Sequence, residues 1–580
     1  MVMDYPLIEK NPASFPVKPN LDNYDEIRAN WSWDAIRAEL DRPNGMVNQA
    51  HECIDRHAKG PNRDKLAMIW EGNDGTIERY TFEDMRKQTN RFANVMKQVG
   101  VNKSDRVFIF ADRYPELYFS LFGILKTGAI AAPLFSAFGP EPVAERVKRA
   151  DGVGIITTPR LLPKIEQILP GLPSVKWVMV IDREGKGVGE PNLDYGKMMA
   201  EASDEFEIEK TGPEDWSVMH FTSGTTGLPK GAAHVHEAVT SHYATGKYVM
   251  DFHPEDIYWC TADPGWVTGT SYGIFAPWSN GVTQVIYEGG FGAGKWFEII
   301  QRHKVTVWYT APTAIRMLMK AGVEIPKRYD TSTLRYAMSV GEPLNPEGVI
   351  WGQEAFGLPF HDNWWQTETG AIMIANYISV PIKPGSMGKP FPGIQAGIID
   401  EEFKEITEPM AEGQLAVKHP WPSMFRTYWE DEERYNSRFK GEWYITGDRA
   451  KRDADGYFWF IGRDDDVINT AGHLVGPFEV ESCLIEHPAV AEAAVIGKPD
   501  PVAMEIVKAF VSLKDGFEPT EALRRELIGH ARARLGPGVA PREIDFLPTL
   551  PKTRSGKIMR RLLKARELGL PEGDTSTLED

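Results

Sequence analysis

Residues 221–231 read Phe221-Thr222-Ser223-Gly224-Thr225-Thr226-Gly227-Leu228-Pro229-Lys230-Gly231. The glycines of this stretch let backbone N–H groups approach an anion closely, the serine and threonine hydroxyls add donors, and Lys230 adds a positive charge. The spacing is not that of a Walker A loop. A flexible linker has a similar composition, but the preceding apolar run and the closing Pro-Lys-Gly favour a phosphate-binding turn.

Short apolar runs typical of strands alternate with helical patterns on both sides of this turn. The runs are Arg106–Ala111, Gly154–Thr157, Val175–Ile181 and Val305–Tyr309, and helical stretches include Phe82–Val99 and Trp296–His303. Strands that are separated by helices form parallel sheets with helices packed on their faces. The predicted fold class is therefore α/β, with largely parallel sheets.

The pattern changes downstream of Glu442. Two strand-like runs flank the turn Asp453–Gly456, and a polar break follows at Arg463–Asp466. A self-contained set comes next: a helix over 477–487, strands over 490–497 and 507–513, a helix over 520–534 and a strand over 542–547. We predict a small α+β C-terminal domain, with residues 1–464 forming the N-terminal domain and 465–580 the C-terminal one.

Composition excludes several classes of partner. The chain of 580 residues carries a net charge of −17, which disfavours nucleic acid and anionic membrane surfaces as partners. Cys53, Cys260 and Cys483 are scattered, which fits a reducing compartment better than a disulfide framework or a zinc site. We therefore expect a cytoplasmic protein that binds neither nucleic acid nor membrane.

The stretch Leu117–Phe138 is the most membrane-like part of the chain. Lys126, two glycines and a proline interrupt it, so it predicts a buried helix over Leu117–Lys126 and a strand over Ala129–Leu134. The N-terminal residues contain no apolar run of signal-peptide length.

Further motifs follow the glycine-rich turn in a fixed order. They are Gly341-Glu342-Pro343, Asp362-Asn363-Trp364-Trp365-Gln366-Thr367-Glu368, Tyr444–Asp448, Gly462–Asp465 and Leu550–Arg561. Together with residues 221–231, they resemble the motifs of the adenylate-forming superfamily, which comprises acyl- and aryl-CoA ligases, luciferases and peptide-synthetase adenylation domains. The similarity is greatest to its acetyl-CoA synthetases and extends from Tyr80 to the C-terminus.

The resemblance implies a fold and an activity. The expected fold is a large N-terminal domain of stacked sheets and helices with a distorted β-barrel, followed by a small mobile α+β domain. The expected activity is that of an AMP-forming acyl-CoA ligase, which makes an acyl-adenylate from ATP and then transfers the acyl group to coenzyme A (CoA).

The resemblance also implies a nucleotide site. Glu368 offers a hard oxygen ligand suited to Mg²⁺ on the phosphates, and Thr367 can donate to the α-phosphate. A lone glutamate is usually a solvated surface charge, but its motif favours the ligand role. Asp448 and Arg463 correspond to ribose contacts. The residues expected to bind ATP or AMP are Thr222, Ser223, Gly224, Thr225, Thr226, Gly227, Lys230, Gly341, Glu342, Pro343, Asp362, Asn363, Trp364, Trp365, Gln366, Thr367, Asp448 and Arg463.

Four residues resemble the acid pocket of acetyl-CoA synthetases: Val267, Thr268, Val340 and Trp365. Medium-chain relatives carry glycine where Trp365 stands, and an indole fills the space that a longer chain needs. A single tryptophan is more often ordinary core packing, but all four positions match. We expect acetate as the substrate. One methylene changes discrimination by only about 1–3 kcal/mol, so propionate stays an alternative.

The expected CoA contacts are Thr268, Ala311, Ala471, Gly472 and Arg532. Small residues suit a narrow pantetheine tunnel, and an arginine can pair with a CoA phosphate. Three more arginines lie close to Arg532 in sequence, so a solvated basic helix face explains it equally well.

Lys557 lies in a segment that resembles the catalytic-lysine loop of the superfamily. Attack of a carboxylate on the α-phosphate brings two anions together, and an ammonium group that reaches both offsets their repulsion. We expect Lys557, Thr367 and Glu368 to act in catalysis, although a basic C-terminal run is otherwise a solvated tail. Asp465 is the expected hinge of the small domain. Enzymes that acylate and deacylate Lys557 are possible partners, because acylation removes its charge.

One position departs from the acetate-specific pattern. Leu474 stands where those members usually carry a phosphate-binding arginine, and a hydrogen bond to a charged group contributes about 1.5–3 kcal/mol. Another cation replaces it, the adenylate is held more weakly, or the acid is different, such as a cyclic or aromatic one. Transfer of the acyl group to another acceptor and a non-catalytic nucleotide-binding protein are the remaining alternatives.

Overall fold

The computed structural model describes residues 5–223, 229–464, 466–470, 473–501, 503–553, 557–572, 575 and 578, without the side chains of 223, 473 and 474. Its strands, in chain order, are β1 (Leu66–Glu71), β2 (Ile77–Thr81), β3 (Arg106–Phe110), β4 (Ile130–Pro133), β5 (Gly154–Thr157), β6 (Trp177–Val180), β7 (Leu193–Asp194), β8 (Trp216–Ser223), β9 (Pro229–Val235), β10 (Ile257–Cys260), β11 (Thr283–Tyr287), β12 (Val307–Thr310), β13 (Tyr336–Ser339), β14 (Phe360–Trp364), β15 (Ile374–Ala375), β16 (Lys389–Pro390), β17 (Ala396–Ile399), β18 (Glu412–Lys418), β19 (Thr427–Tyr428), β20 (Phe439–Lys440), β21 (Trp443–Arg452), β22 (Phe458–Arg463), β23 (Ile468–Thr470), β24 (His473–Val475), β25 (Val490–Asp500), β26 (Met504–Leu513) and β27 (Glu543–Phe546).

The α-helices, in the same order, are α1 (Tyr24–Ala29), α2 (Trp33–Ala38), α3 (Arg56–Ala58), α4 (Phe82–Gln98), α5 (Pro115–Lys126), α6 (Pro140–Arg149), α7 (Leu162–Ile168), α8 (Tyr195–Glu201), α9 (Ala238–Tyr248), α10 (Val267–Thr270), α11 (Ala276–Ser279), α12 (Ala293–His303), α13 (Pro312–Ala321), α14 (Pro346–Phe356), α15 (Glu432–Ser437), α16 (Pro477–Ile485), α17 (Glu521–Leu535) and α18 (Arg560–Leu568). A π-helical turn, Ser271–Phe275, joins α10 to α11, and another, His51–Asp55, precedes α3.

Two large sheets dominate the N-terminal part of the chain. One has nine strands in the order β16-β15-β14-β13-β12-β10-β11-β1-β2, and the other has eight in the order β19-β9-β8-β4-β3-β5-β6-β7. The strands from β14 to β1 in the first sheet, and from β8 to β7 in the second, pair in parallel, and antiparallel strands lie only at the edges. The predicted α/β class with largely parallel sheets is confirmed.

Two smaller sheets follow. Strands β17, β18, β20, β21 and β22 pair antiparallel, and β21 and β22 form the hairpin expected around Asp453–Gly456. The last sheet has five strands, β23 to β27, with only β26 and β27 parallel to each other. Helices α16, α17 and α18 complete this smaller C-terminal unit. The domain boundary predicted at residues 464 and 465 stays a prediction, because Asp465 lies outside the described residues.

Local chemistry explains the helix that begins at Phe82. Thr81 accepts a hydrogen bond from the N–H of Asp84 through its hydroxyl, and the Asp84 carboxylate accepts one from the N–H of Thr81. This reciprocal capping satisfies two backbone donors that the first turn leaves unpaired. The helix then buries Phe92, Val95 and other apolar side chains against α5.

Helix α5 and strand β4 account for the membrane-like stretch. Lys126, at the end of α5, is fully buried and forms a 2.7 Å ion pair with Asp55, and its amine also donates to Asn90 at 2.6 Å. A paired lysine can therefore end an apolar helix inside the protein core. No helix in the described part of the chain combines the length and apolarity that crossing a bilayer requires.

Candidate active site

The glycine-rich turn connects two antiparallel strands. Thr222 on β8 pairs with Lys230 on β9, so the turn closes a hairpin with Lys230 at its base. Gly224, Thr225, Thr226 and Gly227 lie outside the described residues, as does the side chain of Ser223. Lys230 is buried, and its Nζ lies 5.6 Å from the centre of the Tyr428 ring. Burial, together with the charges of nearby arginines, lowers the pKa of Lys230 to about 8.

Glu368 follows the C-terminal end of the parallel strand β14. The Tyr428 hydroxyl donates a 2.7 Å hydrogen bond to its carboxylate, and the Phe425 N–H donates to its carbonyl oxygen. Glu368 and Lys230 are near enough for the carboxylate to oppose the lowering of the lysine pKa. Thr367, the neighbouring residue, is half-buried. The predicted metal ligand and the lysine of the turn thus come together around Tyr428.

Asp448 lies on β21, close to Trp364 at the end of β14 and to Gln366. Its Oδ2 accepts hydrogen bonds from Trp364 Nε1 at 2.9 Å and from Gln366 Nε2 at 2.8 Å. Arg463 is its direct partner across the β21–β22 hairpin. Burial raises the pKa of the Asp448 carboxyl, and the positive charges of Arg463 and Lys557 oppose that rise.

Lys557 reaches this region from the C-terminal unit. Its backbone N–H donates to Thr553 Oγ1 at 3.0 Å, and its side chain keeps contact with solvent. The surrounding protein atoms lower the pKa of the Lys557 ammonium, Arg463 lowers it further, and Asp448 opposes both. A lysine more than a hundred residues downstream of Asp448 therefore faces the same pocket.

The segment Gly341–Pro343 is held from below by Asp362. The Asp362 carboxylate accepts hydrogen bonds from the Ser339 hydroxyl at 2.6 Å and from the Leu344 N–H at 3.1 Å. Burial raises the pKa of Asp362 to about 7. The Asn363 side chain is engaged similarly, since it donates to the Ser339 carbonyl at 2.8 Å. These contacts make Asp362 and Asn363 supports of the segment in this conformation.

Glu342, within that segment, is also engaged by the protein. It accepts hydrogen bonds from Thr313 Oγ1 and Arg316 Nη2, both at 2.6 Å. Gly341 has φ of 101°, a backbone conformation that side-chain-bearing residues rarely adopt. The segment is thereby fixed as a sharp turn beside β13.

The expected acid pocket is partly assembled. Val340 and Trp365 belong to one apolar cluster with Tyr272 and Tyr309. The Trp365 and Tyr272 rings meet edge-on with their centres 5.1 Å apart. Val267 and Thr268, the remaining predicted pocket residues, are half-buried. They begin the helical stretch that continues into the π-helical turn containing Tyr272.

The expected CoA contacts stay a prediction, because the structure describes only some of these residues. Ala311 precedes α13 and is half-buried, whereas Arg532 is exposed on α17. Ala471 and Gly472 lie outside the described residues. Within the described ranges, Arg532 forms no ion pair, while its neighbour Arg534 pairs with Glu486 at 3.1 Å.

Comparison with known proteins agrees with this arrangement. The model of the AMP-binding enzyme family matches residues 54–429, and that of the AMP-binding enzyme C-terminal domain matches residues 479–557. The chain belongs to the AMP-binding enzyme family. This family member is 50% identical to an acetyl-coenzyme A synthetase of Bacillus subtilis (strain 168) over 97% of its own length and 98% of the relative's.

Two solved structures share the fold of this AMP-binding enzyme. A Brucella canis acyl-CoA synthetase superposes with a TM-score of 0.75 at 37% identity, covering 95% of this chain and 99% of that one. The anthranilate CoA ligase AuaEII in complex with anthranoyl-AMP superposes with a TM-score of 0.84 at 31% identity, covering 92% and 99%. The resemblance to the adenylate-forming superfamily is confirmed.

Three residues of the AMP-binding enzyme site were not predicted. Tyr428 links Glu368 to Lys230, and both Arg434 and Arg438 lie near enough to Lys230 to lower its pKa. The two arginines are four residues apart, so one helical turn can direct both to the same side. That spacing was the only sequence signal for them.

Proposed function

We propose that this protein is an AMP-forming acetyl-CoA ligase, which converts ATP, acetate and CoA to acetyl-CoA, AMP and pyrophosphate through acetyl-adenylate. The observation that carries the proposal is the meeting of Lys557 with Asp448 and Arg463, next to Lys230 and Glu368. A carboxylate and a nucleotide are both anions, so a pocket that joins them needs several cations around one metal-binding carboxylate.

Each of these residues has a distinct proposed role. Lys557 contacts the incoming acid and the α-phosphate, and it stabilises the charge that develops as the new bond forms. Asp448 accepts from the ribose hydroxyls through Oδ1, because Trp364 and Gln366 both donate to Oδ2. Thr367 donates to the α-phosphate. Acylation of Lys557 would abolish its charge and stop the first half-reaction.

Glu368 fits a magnesium ion that arrives with ATP. Within the described residues, no group of three or more His, Cys, Asp or Glu side chains could hold a metal. Mg²⁺ commonly uses one or two carboxylates together with substrate phosphates, so a single glutamate is sufficient. When bound, the ion neutralises phosphate charge. The Tyr428 hydroxyl holds the Glu368 carboxylate in place with a hydrogen bond.

Acetate is the proposed acid because Trp365 limits the pocket. Its ring packs against Tyr272 and is held in an apolar cluster with Val340, so it cannot move aside for a longer chain without breaking those contacts. The name of the Bacillus subtilis relative supports the same substrate. Propionate differs by one methylene and is expected to be the next best acid.

The second half-reaction is the attack of the CoA thiol on the mixed anhydride, which expels AMP. We propose that the small domain rotates about Asp465 for this step, withdrawing Lys557 and bringing Ala471, Gly472 and Arg532 to a thiol tunnel past Ala311 and Thr268. Proline at position 465 should impair one half-reaction more than the other; equal loss of both would contradict the hinge.

Hydroxylamine trapping and pyrophosphate release with a panel of acids, each with and without CoA, test the proposal. Acetate should give pyrophosphate and trapped acetyl hydroxamate without CoA, and acetyl-CoA with it. Adenylation without thioester formation would indicate another acyl acceptor. A cyclic or aromatic acid that outperforms acetate would contradict the proposed substrate, and no pyrophosphate with any acid would indicate a nucleotide-binding protein.

A further inference from the structure

An excess of positive charge surrounds Glu368. Arg434, Arg438 and Arg463 each lower the pKa of Lys230, so all three lie within electrostatic reach of that lysine. Glu368 lies near Lys230, Asp448 lies opposite Arg463, and Arg434 Nη1 lies 3.6 Å from Asp431 Oδ2. Within the described residues, Lys230 and Arg438 form no ion pair, and cations that are partly withdrawn from water need counter-charges, so these two are placed to receive an anion.

Arg438 has the most restricted position in the group. Its carbonyl oxygen accepts a 2.7 Å hydrogen bond from the Ile445 N–H, which fixes the end of α15 beside β21. Its Nη1 lies against Gly447, only 3.3 Å from the position that a Cβ there would take. Its guanidinium also interacts electrostatically with Tyr428.

Tyr428 connects Arg438 to the metal-binding carboxylate. The Tyr428 hydroxyl donates to Glu368, its ring centre lies 5.6 Å from the Lys230 amine, and Arg438 interacts with it electrostatically. Arg438 is half-buried and forms no ion pair within the described part of the chain. A fixed guanidinium with unused donors matches the geometry of phosphate oxygens.

We propose that Arg438 binds the β- and γ-phosphates of ATP and then the pyrophosphate that leaves. The assignment rests on the proposed function. Arg438 shares Tyr428 with Glu368 and Lys230, whereas the ribose corner is formed by Asp448, so the arginine lies at the polyphosphate end.

The chemistry of the first half-reaction explains how this proposed contact would assist catalysis. A carboxylate oxygen forms a bond to the α-phosphorus, the bond from that phosphorus to the bridging oxygen breaks, and the electron pair leaves on pyrophosphate. A cation on the leaving group stabilises that charge as it develops. Arg438 also supplies a phosphate-binding cation to a site that has Leu474 in place of the expected arginine.

Separate measurement of the two half-reactions tests the role of Arg438. In Arg438→Gln, we expect the KM for pyrophosphate in acetate-dependent ATP–pyrophosphate exchange to rise at least tenfold. Acetyl-CoA formation from supplied acetyl-adenylate, which involves no pyrophosphate, should stay within twofold of the parent. The KM for pyrophosphate of Arg438→Lys should lie between those of the parent and of Arg438→Gln, because lysine keeps the charge without the planar fork.

The matched control is Arg452→Gln. Arg452 lies on the same strand as Asp448 and pairs with Glu405 at 3.1 Å, so its loss should leave both half-reactions unchanged. An unchanged KM for pyrophosphate in Arg438→Gln, or equal losses in both half-reactions, would overturn the proposal. Direct titration of pyrophosphate into each protein gives a readout without any acid. Failure of the proposed function would be distinct, since the parent would then show no acid-dependent exchange.

Discussion

Replacement of Asp448 by asparagine should weaken ATP binding through the ribose. In the structure, Asp448 Oδ2 already accepts two hydrogen bonds, from Trp364 and Gln366, at 2.9 and 2.8 Å. An asparagine will keep its carbonyl oxygen toward these two donors, because its amide nitrogen cannot accept from them. Its NH₂ group then points to the position where the ribose hydroxyls need an acceptor.

The expected magnitude follows from the two ribose contacts. A hydrogen bond to a charged group contributes about 1.5–3 kcal/mol, and one between neutral groups about 0.5–1.5 kcal/mol. Losing the charge at two contacts therefore costs about 2–3 kcal/mol, or roughly 30–150-fold in the Kd for ATP. Burial raises the pKa of Asp448, so acidification should also weaken ATP binding by protonating this acceptor, and Asp448→Asn should lack that dependence.

Calorimetric titration with ATP and with 2′,3′-dideoxy-ATP, in the parent and in Asp448→Asn, separates this role from a structural one. Removing the hydroxyls should weaken binding to the parent roughly 30–150-fold more than binding to the variant, because the two changes remove the same interaction. An equal loss in both proteins would refute the ribose contact. Asp453→Asn is the control, since Asp453 lies in the turn of the same hairpin and accepts from Lys383 at 2.7 Å.

Three further outcomes are expected. Lys557→Met should lower the rate of adenylation at least a hundredfold, as charge stabilisation of the transition state is lost, and should leave thioester formation from supplied acetyl-adenylate within a few-fold; equal loss of both steps would contradict the role. The KM for ATP should rise as pH increases through about 8, the pKa of Lys230, because the ammonium charge is lost. Lys230→Arg should flatten that rise. A KM that does not change with pH in the parent would contradict the role of Lys230. Asp55→Asn should lower the free energy of unfolding in urea by about 3–5 kcal/mol, since it leaves the buried Lys126 charge uncompensated, whereas Asp22→Asn, in an exposed pair, should cause no measurable change.

Secondary structure was predictable where local pattern and tertiary packing agree. The strand Gly154–Thr157 has the predicted bounds, and the helix from Phe82 ends one residue before the predicted end. The strand expected over Val175–Ile181 is shorter, Trp177–Val180, because pairing with β5 and β7 sets its length. The path of the N-terminal segment could not be predicted from local sequence, because its contacts are with residues far away in the chain. One of them is the hydrogen bond from the Asn20 N–H to the Asp251 carboxylate.

The candidate site was predictable only where motifs carry it. Glu368 and Asp448 lie in long recognisable patterns, and the structure brings them to one pocket with Lys557. Asp362 was expected to bind nucleotide, yet its carboxylate is occupied by Ser339 and the Leu344 N–H, a contact that no linear pattern encodes. Arg438 has no motif, and its role depends on a helix end that the fold presses against β21.

The small domain contacts the N-terminal part of the chain at and near the segment Gly341–Pro343. Asn345 Nδ2 donates to Ser482 Oγ across the contact at 2.7 Å, and Glu342 acts electrostatically on Arg560 of the small domain. Glu342 lies within Gly341–Pro343, which is expected to bind ATP or AMP, and Asn345 lies two residues after that segment.

Electrostatics then favours a change of orientation after the first half-reaction. Lys557 faces Arg463, and Arg463 faces Lys230, so these like charges repel one another unless phosphate oxygens lie between them. When pyrophosphate leaves, most of that negative charge departs while the cations remain. In the proposed mechanism, this loss of negative charge weakens the orientation that presents Lys557 to the nucleotide and favours the proposed rotation of the small domain.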